Sequence, residues 1–481
     1  MKKLLILAVL ALSCTARREP SALERLKPCN AGRGPSDAYC GTVTVWEDRD
    51  ARKGRQIALN VVLLPALKAK SAPDPLFILA GGPGQAATEL VKPLASGFRA
   101  VQRDRDIVLV DQRGTGRSNP LECKMNDDAV TSEASFVERM RQCLASYGDK
   151  ADVTKYTTNI AMDDLDDVRQ FLGYAKIDLY GGSYGTRAAM VYARLHPEHT
   201  RAVILDGVAP TDMRIPLSFA RDSQRALDLL FDDCAKSAAC SRRFPNLRPR
   251  FTALLDRLKS HPDRIAYADP RTGLPKEREI DDRIVSRAIF ASLYSPMTAA
   301  TVPLLIEQSE KGNYTGLLTL TAALGPFAES VAQGMHFSVV CSEDAPRIDA
   351  QQIDRDTAGT FLGRSVTDFR LEPCKFWPHA KVDASYYENS PSNLPALILS
   401  GELDPVTPPR WGESVAAQWK NSKHVIVPAT GHGTAFTGCV GRLLASFLET
   451  ADPSRVDPSC VRQLKRPPFF VGPSGPDAVT Q

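Results

Sequence analysis

A series of short apolar runs rich in β-branched residues constrains the fold of this chain more than any other feature. The six runs are residues 76–80, 107–110, 177–180, 202–205, 396–399 and 424–427. Runs of this length are typical of strands that are buried on both faces of a parallel sheet. Helical patterns at 163–172 and 186–195 lie between several of them. Alternating strands and helices predict an α/β sandwich.

The strand series is interrupted between about residues 210 and 390, where helix-like patterns such as 219–234 occur instead. This order predicts a mostly parallel central sheet with an inserted, mainly helical lid. Two β-rich stretches before the series, 41–46 and 57–64, are joined by a charged turn and predict a hairpin. The predicted segments are a signal at 1–14, a tether at 15–39, a first core part at 40–210, the lid at 211–390, a second core part at 391–465 and a flexible, Pro- and Gly-rich tail at 466–481.

The N-terminus has the layout of a secretory signal. Lys2 and Lys3 precede an apolar run at residues 4–12 that is too short to span a bilayer. Cleavage before Cys14 would resemble the processing of a bacterial lipoprotein, and ordinary cleavage after Ala16 is the alternative. We therefore expect an exported protein, located in the bacterial periplasm, on the outer membrane as a lipoprotein lipidated at Cys14, or outside the cell.

Composition excludes several classes of function. The chain of 481 residues is 43% apolar, which is ordinary for a globular protein, and its net charge is only +4. So small a net charge does not indicate a basic surface that binds nucleic acid. No later segment has the roughly 18 uninterrupted apolar residues of a membrane span. We expect no nucleic-acid partner and no membrane span, and the oligomeric state stays open.

Ten cysteines remain once Cys14 is set aside, and an even number in an exported chain predicts disulfides. They are Cys29, Cys40, Cys123, Cys143, Cys234, Cys240, Cys341, Cys374, Cys439 and Cys460. Pairing each cysteine with its sequence neighbour closes five short loops at low entropic cost. Spacing alone does not decide the connectivity, and buried free thiols are the alternative. Because CxxC pairs are missing, we expect no zinc site.

The strongest chemical signal is the segment GGSYG at residues 181–185, directly after one predicted strand and before a predicted helix. A serine in this setting stands on a tight turn with its oxygen exposed above the sheet, and the flanking glycines leave room for the strained backbone. The alternative is a glycine turn with a capping serine. The strand–turn–helix setting favours Ser183 as a nucleophile.

A nucleophilic serine needs a base, and the base needs an acid that orients it. Asp404 follows the predicted strand 396–399, and His432 follows the predicted strand 424–427. The carboxyl ends of parallel strands are where α/β sheets place their sites. Asp404 is therefore the predicted acid and His432 the predicted base, with Asp206 as a rival acid. Other histidines are interpreted as structural or surface residues: His196, His199 and His424.

The loop after the first predicted strand has the sequence AGGPG and can supply backbone donors to an oxyanion. Gly82 and Tyr184 are the predicted donors, with Gly81 as the fallback. The same loop matches G-x-G-x-x-A, and Asp111 ends the next strand, which is the pattern of a dinucleotide site. That interpretation is disfavoured because Asp111 lies too far along the chain and the Ser–Asp–His series would be unexplained. No metal or organic cofactor is expected.

Five segments in order resemble the prolyl-aminopeptidase and tripeptidyl-aminopeptidase group of α/β-hydrolases, and in particular its exported, TAP-like branch. They are AGGPG, DQRGTGRS, GGSYG, GELDPVTP and GHG. The resemblance covers most of residues 40–465 and implies the α/β-hydrolase fold. It implies the release of residues or short peptides from the free N-termini of peptide substrates. The chain departs from the group at Ala80, where many members have His.

An aminopeptidase has to hold an α-ammonium group, and a carboxylate shielded from water does so best. Glu343 lies in a segment that resembles the C-x-E-D segment of the family, and is the first candidate; Glu402, beside the acid loop, is the second. The alternative for Glu343 is a structural acid beside a disulfide. The same triad would also serve a carboxylesterase acting on small esters, and a non-catalytic binding module is a third possibility.

Overall fold

The computed structural model describes residues 20–30, 37–123, 133–388 and 390–476. Its strands are β1 Lys27–Cys29, β2 Ala38–Trp46, β3 Gln56–Leu64, β4 Leu76–Leu79, β5 Ile107–Val110, β6 Ile177–Gly182, β7 Thr200–Asp206, β8 Asp263–Ala268, β9 Pro275–Ile280, β10 Ala396–Gly401 and β11 Ser422–Val427. Nine of them form one sheet in the order β1-β2-β3-β5-β4-β6-β7-β10-β11. From β5 to β11 all neighbours in this sheet are parallel, whereas β1, β2 and β3 pair antiparallel. Every predicted strand is therefore present, and the predicted hairpin is β2–β3.

Helices cover both faces of the sheet. They are α1 Ala22–Arg25, α2 Val91–Gly97, α3 Arg99–Gln102, α4 Glu133–Tyr147, α5 Thr158–Leu172, α6 Tyr184–Leu195, α7 Phe219–Lys236, α8 Ala238–Arg243, α9 Leu247–Ser260, α10 Asp282–Ser292, α11 Pro296–Ala299, α12 Val302–Glu310, α13 Thr315–Glu329, α14 Gln333–Glu343, α15 Ala350–Thr357, α16 Ser365–Leu371, α17 Pro409–Gln418 and α18 Val440–Thr450. Successive residues of a strand point to opposite faces. In β4, Phe77 and Leu79 therefore join the apolar layer of α5 and α6, while Leu76 and Ile78 join that of α2 and α18.

The chain between β7 and β10 forms the inserted, mainly helical part of the fold. It has an apolar cluster of its own, in which side chains such as Leu230, Phe251 and Ile289 are buried. It also contains the antiparallel hairpin β8–β9, which the sequence analysis missed. The hairpin is half exposed along β8, and β9 reads PKEREI, so neither strand has the apolar run that marked the others.

The first residues of the segment predicted as a flexible tail pack against the inserted part. Phe469 is buried in the cluster of the inserted part, and the Phe470 N–H donates to the Ala300 carbonyl at 3.0 Å. Arg466 Nε donates to Asp233 Oδ2 at 2.9 Å. Proline and glycine prevented regular structure here, but two phenylalanines bury apolar area and hold the segment in place.

Five disulfides join each of the ten cysteines to its sequence neighbour. This is the pairing that the low entropic cost of closing short loops favoured. The disulfides are Cys29–Cys40, Cys123–Cys143, Cys234–Cys240, Cys341–Cys374 and Cys439–Cys460. In the part of the chain that the structure describes, no helix combines the length and apolarity that a membrane crossing needs. The predicted signal segment and Cys14 lie outside the described residues.

Candidate active site

Ser183 stands at the turn between β6 and α6, as the strand–turn–helix pattern predicted. Its backbone has φ 56° and ψ −126°, a conformation that residues other than glycine rarely adopt. The following helix packs so close to β4 that a Cβ on Gly185 would lie 2.1 Å from the Leu79 carbonyl oxygen. Only glycine fits there, which explains the last glycine of GGSYG. Ser183 remains partly exposed at the start of α6.

Asp404 and His432 meet at the carboxyl ends of β10 and β11. His432 Nδ1 and Asp404 Oδ2 are 2.8 Å apart. The backbone N–H groups of Val406 and Thr407 donate to Asp404 Oδ1 at 2.9 and 2.8 Å. Thr407 Oγ1 also donates to Asp404 Oδ2 at 2.8 Å and lies 3.1 Å from His432 Nδ1. Four contacts thus fix the carboxylate, and the carboxylate orients the imidazole.

Electrostatics at this pair favour an ionised acid and a strong base. Asp404 is fully buried, and burial alone would raise its pKa. The neighbouring imidazole and the N–H donors outweigh burial and lower that pKa. Burial would likewise lower the pKa of His432, but the charge of Asp404 and its hydrogen bond outweigh it and raise the pKa. An imidazole tuned in this way is able to accept a proton from a serine hydroxyl.

Asp206, the rival acid, is held by other partners. The N–H groups of Thr434 and Ala435 donate to its oxygens at 2.8 and 2.9 Å, and the Tyr180 hydroxyl donates at 2.8 Å. Burial raises the pKa of Asp206 in spite of these donors. The hydrogen bond to the imidazole is made by Asp404, so Asp206 anchors the loop that carries His432.

The predicted nucleophile and the predicted acid–base pair are brought together at the end of β7. The Ser183 N–H donates to the Asp206 carbonyl at 2.9 Å. A Cβ on the next residue, Gly207, would lie 3.4 Å from His432 Cε1 and 3.6 Å from Asp404 Oδ2. Among the described residues no hydrogen bond joins Ser183 Oγ to His432. Such bonds are often long in free enzymes and tighten when substrate binds.

The AGGPG loop lies beside the serine. A Cβ on Gly81 would lie 3.1 Å from Ser183 Cβ and 3.6 Å from its Oγ. Gly82 has φ +108° and is exposed, and Tyr184 is the first residue of α6. The first N–H groups of a helix lack partners within it and can donate to an anion. The loop therefore offers two glycine amides, and the helix a third amide, near the place where an oxyanion would form.

Comparison with known proteins agrees with this architecture. Residues 74–233 match the family model of the alpha/beta hydrolase fold, and residues 360–460 match the model of the TAP-like proteins. The chain has the α/β-hydrolase fold. With the serine on its turn above the sheet, it is a serine hydrolase of this fold.

Three curated relatives are similar to this chain, two of them over most of its length. Serine protease Hip1 of Mycobacterium tuberculosis is 26% identical over 86% of this chain and 85% of its own length. Tripeptidyl aminopeptidase of Streptomyces lividans is 22% identical over 89% of this chain and 84% of its own. Proline iminopeptidase of Neisseria gonorrhoeae is 31% identical, but over only 28% of this chain and 32% of its own. The predicted resemblance to this group of hydrolases is confirmed.

Glu343 lies inside the protein rather than at an open surface of the site. It is fully buried, and the Thr158 N–H and Oγ1 donate to its two oxygens at 2.7 and 2.8 Å. The Tyr386 hydroxyl also donates to it, and Arg187 lies 3.8 Å away. These contacts do not support the predicted ammonium-binding role, because a substrate could reach neither oxygen without displacing a donor.

The contacts of Glu343 instead lead to the serine turn. The Thr158 hydroxyl that donates to Glu343 also lies 2.7 Å from the hydroxyl of Tyr184, the residue that follows Ser183. The next acid, Asp344, binds Arg187 of α6 through both oxygens at 2.9 and 3.1 Å. The C-x-E-D segment thus holds the helix that begins at the serine.

Glu402, the second candidate, is exposed. Its Oε2 accepts the Ala429 N–H at 2.8 Å, in the loop that leads to His432. Its carbonyl oxygen accepts Arg225 Nη1 at 3.0 Å, which joins it to the inserted helical part. Oε1 is available to a ligand, since none of the described residues donates to it.

The remaining candidates of the sequence analysis have structural partners. Asp111 is fully buried and accepts Thr88 N–H at 2.9 Å, so it is closed to a ribose. His424 Nε2 lies 3.0 Å from Ser400 Oγ. His196 and His199 group with Asp166, each with a ligand atom within 4.8 Å of the others. That carboxylate already accepts Arg169 Nε at 2.7 Å, which favours ion pairs over a metal.

Several residues of the site were not found from the sequence. The ring of Tyr294 lies 5.3 Å from that of His432, and its carbonyl accepts the His432 N–H at 2.9 Å. His336 and Arg370 come from α14 and α16 of the inserted part and lie beside the AGGPG loop. Thr407 could have been found, because it lies in GELDPVTP three residues after the acid. The others carry no local signal, since only tertiary packing brings them to the serine.

Proposed function

We propose that this protein is an exported serine aminopeptidase, which releases residues or short peptides from free N-termini through an acyl-enzyme. The observation that carries the proposal is the 2.8 Å contact between His432 Nδ1 and Asp404 Oδ2 beside the serine turn. Peptide substrates are supported by the relatives named serine protease and tripeptidyl aminopeptidase.

In the proposed mechanism Ser183 Oγ attacks the scissile carbonyl while His432 Nε2 takes its proton. Asp404 stabilises the imidazolium that forms. The amides of Gly82 and Tyr184 hold the oxyanion, with Gly81 as the alternative donor in the loop. The imidazolium then protonates the leaving amine, and water activated by His432 cleaves the acyl-enzyme. The residues of this chain perform each step, so the mechanism assigns no step to a metal or cofactor.

Export is supported by the disulfides. Five disulfides in one chain fit an oxidising compartment, because cytosolic thiols are kept reduced. Lipidation at Cys14 and free secretion are both compatible with this. Metabolic labelling with a palmitate analogue in the native host separates them, since only the lipoprotein would retain the label, and C14S would lose it.

Glu402 is the remaining proposed partner of the substrate ammonium. It is exposed, one oxygen lacks a donor among the described residues, and it lies where the inserted helical part meets the acid loop. E402Q should lower kcat/KM for free peptides more than for N-acetylated ones. The loss should come from an increase in KM, with little change in kcat. Equal losses on both kinds of substrate would exclude the role.

The deciding experiment is a substrate panel with purified full-length enzyme. Aminoacyl and tripeptidyl 4-nitroanilides, their N-acetylated counterparts and simple 4-nitrophenyl esters are compared as kcat/KM, with S183A as the control. Faster cleavage of the free peptides than of the N-acetylated ones supports the aminopeptidase. Equal rates on both, or cleavage of esters alone, would contradict it and favour a carboxylesterase. Residual cleavage by S183A at the wild-type rate would exclude Ser183.

A further inference from the structure

Arg370 is a cation in the interior of the site that lacks an acidic partner. It lies on α16 and is only partly exposed. A guanidinium has five N–H donors, and here Nη1 donates to His336 Nε2 at 3.3 Å. Among the described residues no carboxylate lies within 4.0 Å of its guanidinium. Most of its donors are therefore available to something that enters the site.

One chain of contacts leads from Arg370 to the oxyanion loop. His336 Nδ1 lies 3.2 Å from the carbonyl oxygen of Pro83, the residue after Gly82. A carbonyl only accepts, so Nδ1 carries the proton and Nε2 accepts from Arg370. Burial, with the charge of Arg370 beside it, lowers the pKa of His336 to about 3, so the ring stays neutral. A single imidazole ring thus separates the guanidinium from the loop that faces the serine.

A second chain of contacts leads from Arg370 to the catalytic base. The guanidinium carbon lies 6.0 Å from the ring centre of Phe219. From there the ring centres are separated by 6.5 Å to Phe290, 5.4 Å to Tyr294 and 5.3 Å to His432. Arg370 is therefore linked through packed side chains both to the AGGPG loop and to His432.

The other buried arginines near the site show what is unusual about Arg370. Arg187 binds Asp344 through two nitrogens, and Arg113 binds Asp164 at 2.6 Å. A cation removed from water is costly unless an anion accompanies it. Burial lowers the pKa of Arg370, as expected for a guanidinium that is largely shielded from water. An anion that enters the site would supply the missing partner.

We propose that Arg370 binds a carboxylate of the substrate, so that the enzyme favours peptides that carry one within reach of the scissile bond. The inference deepens the proposed function and rests on it. The carboxylate has two possible sources, the free C-terminus of a short peptide and an Asp or Glu side chain. Either would form charge-assisted hydrogen bonds, and the planar guanidinium can hold a carboxylate through two such bonds at once.

The test compares the full-length wild type with R370Q, R370K and R364Q. Arg364 is the matched control, because it lies just before α16, is 43% exposed and pairs with Asp354 and Asp368 at the surface. For each enzyme the measured quantity is the ratio of kcat/KM between two substrates that differ only in one carboxylate. A ratio is insensitive to the fraction of folded enzyme.

Two pairs of peptides distinguish the sources of the carboxylate. The first pair is a tetra-alanine peptide with a free C-terminus and the same peptide with a C-terminal amide. The second pair is amidated and carries either Glu or Gln after the scissile bond. We expect the wild type to favour the carboxylate in one pair by about 10- to 100-fold, mainly through KM. R370Q should abolish that preference, R370K should restore part of it, and R364Q should keep it.

The proposal is overturned if the wild type shows no preference in either pair, or if R370Q lowers both members of a pair equally and so keeps the ratio. Its failure is distinguishable from that of the proposed function by a third pair, 4-acetoxybenzoate and 4-acetoxybenzamide. An Arg370-dependent preference in these esters, together with no cleavage of any peptide, would support the carboxylate site and contradict the peptidase. Peptide cleavage without any carboxylate preference would support the peptidase and contradict the carboxylate site.

Discussion

Two acidic loops flank the nucleophile helix, and they differ in the partner that each carboxylate has. Asp404 and Asp344 are equally buried, both at 0% exposure. Asp404 binds His432, an imidazole that gains and loses a proton near neutral pH and is partly exposed. Asp344 binds Arg187, whose guanidinium is always charged. Burial does not separate the proposed catalytic acid from the structural one, but the chemistry of the partner does.

The comparison explains why two similar sequence signals have different meanings. Each acid lies in a short family-like segment, Asp404 in GELDPVTP and Asp344 in CSED. Asp404 lies in a loop at the end of a strand, so its partner can face the cleft. Asp344 follows the last residue of α14, and with Glu343 it packs against α5 and α6. Replacing these acids one at a time should therefore affect different observables.

The largest effect is expected for D404N. The amide cannot stabilise the imidazolium and favours the wrong tautomer of His432, so kcat should fall by about 10³- to 10⁴-fold. The melting temperature should change little, since an amide still accepts two of the hydrogen bonds. Steady-state kinetics and thermal unfolding of the same preparation measure both. A loss below tenfold would remove Asp404 from the catalytic set.

The next effect is expected for D344N, and it concerns stability. The substitution removes the charge that binds the buried Arg187 through two hydrogen bonds and leaves only Glu343, at 3.8 Å, as an anion, which should lower the free energy of unfolding by about 3 to 5 kcal/mol. Denaturant unfolding measures this loss. The activity of the remaining folded enzyme, counted by active-site titration, should stay within tenfold of the wild type. A selective loss of kcat with unchanged stability would indicate that Asp344 is a catalytic acid. It would contradict the distinction drawn between Asp344 and Asp404.

A smaller loss of stability is expected for E343Q. The uncharged amide weakens the hydrogen bonds from Thr158 and Tyr386, at a cost of about 1 to 3 kcal/mol. Because Glu343 is closed to substrate, the ratio of kcat/KM between free and N-acetylated peptides should not change. If that ratio falls toward one, the ammonium-binding role predicted from the sequence would be restored.

The smallest expected effect is a displacement of the pH profile. His432 works as a base only when neutral, so kcat/KM should fall as the pH falls through its pKa. Asp404 raises this pKa, so the acid limb should lie above the ordinary value of about 6.5. The residual activity of D404N should have its acid limb at lower pH than the wild type. E343Q should have the same acid limb as the wild type. An acid limb below 6 in the wild type would contradict the Asp404–His432 interaction.

The sequence predicted the elements that depend on local patterns. Strands buried on both faces have to be short apolar runs, and strict order along the chain placed Ser183, Asp404 and His432 at the ends of three of them. The neighbouring cysteine pairs could be inferred because short loops close most easily. The strand signal lies within a few residues, and the paired cysteines are 6 to 33 residues apart along the chain.

The features that sequence reasoning missed depend on packing between distant segments. The partners of Glu343 are Thr158 and Tyr386, which are far from it along the chain. Phe469 is buried because the inserted helices offer an apolar surface, which the Pro- and Gly-rich context conceals. Arg370 resembles any helical arginine until the fold places it beside His336 without an acid. Such contacts are decided by tertiary structure alone.

The most direct test of the account is covalent labelling of the nucleophile. Wild-type enzyme is treated with a fluorophosphonate probe, digested and analysed by mass spectrometry, with S183A and D344N treated in parallel. The account predicts one labelled site, Ser183, in the wild type and in folded D344N, and no label in S183A. Labelling of another serine, or labelling that persists in S183A, would contradict the central claim that Ser183 is the nucleophile of this hydrolase.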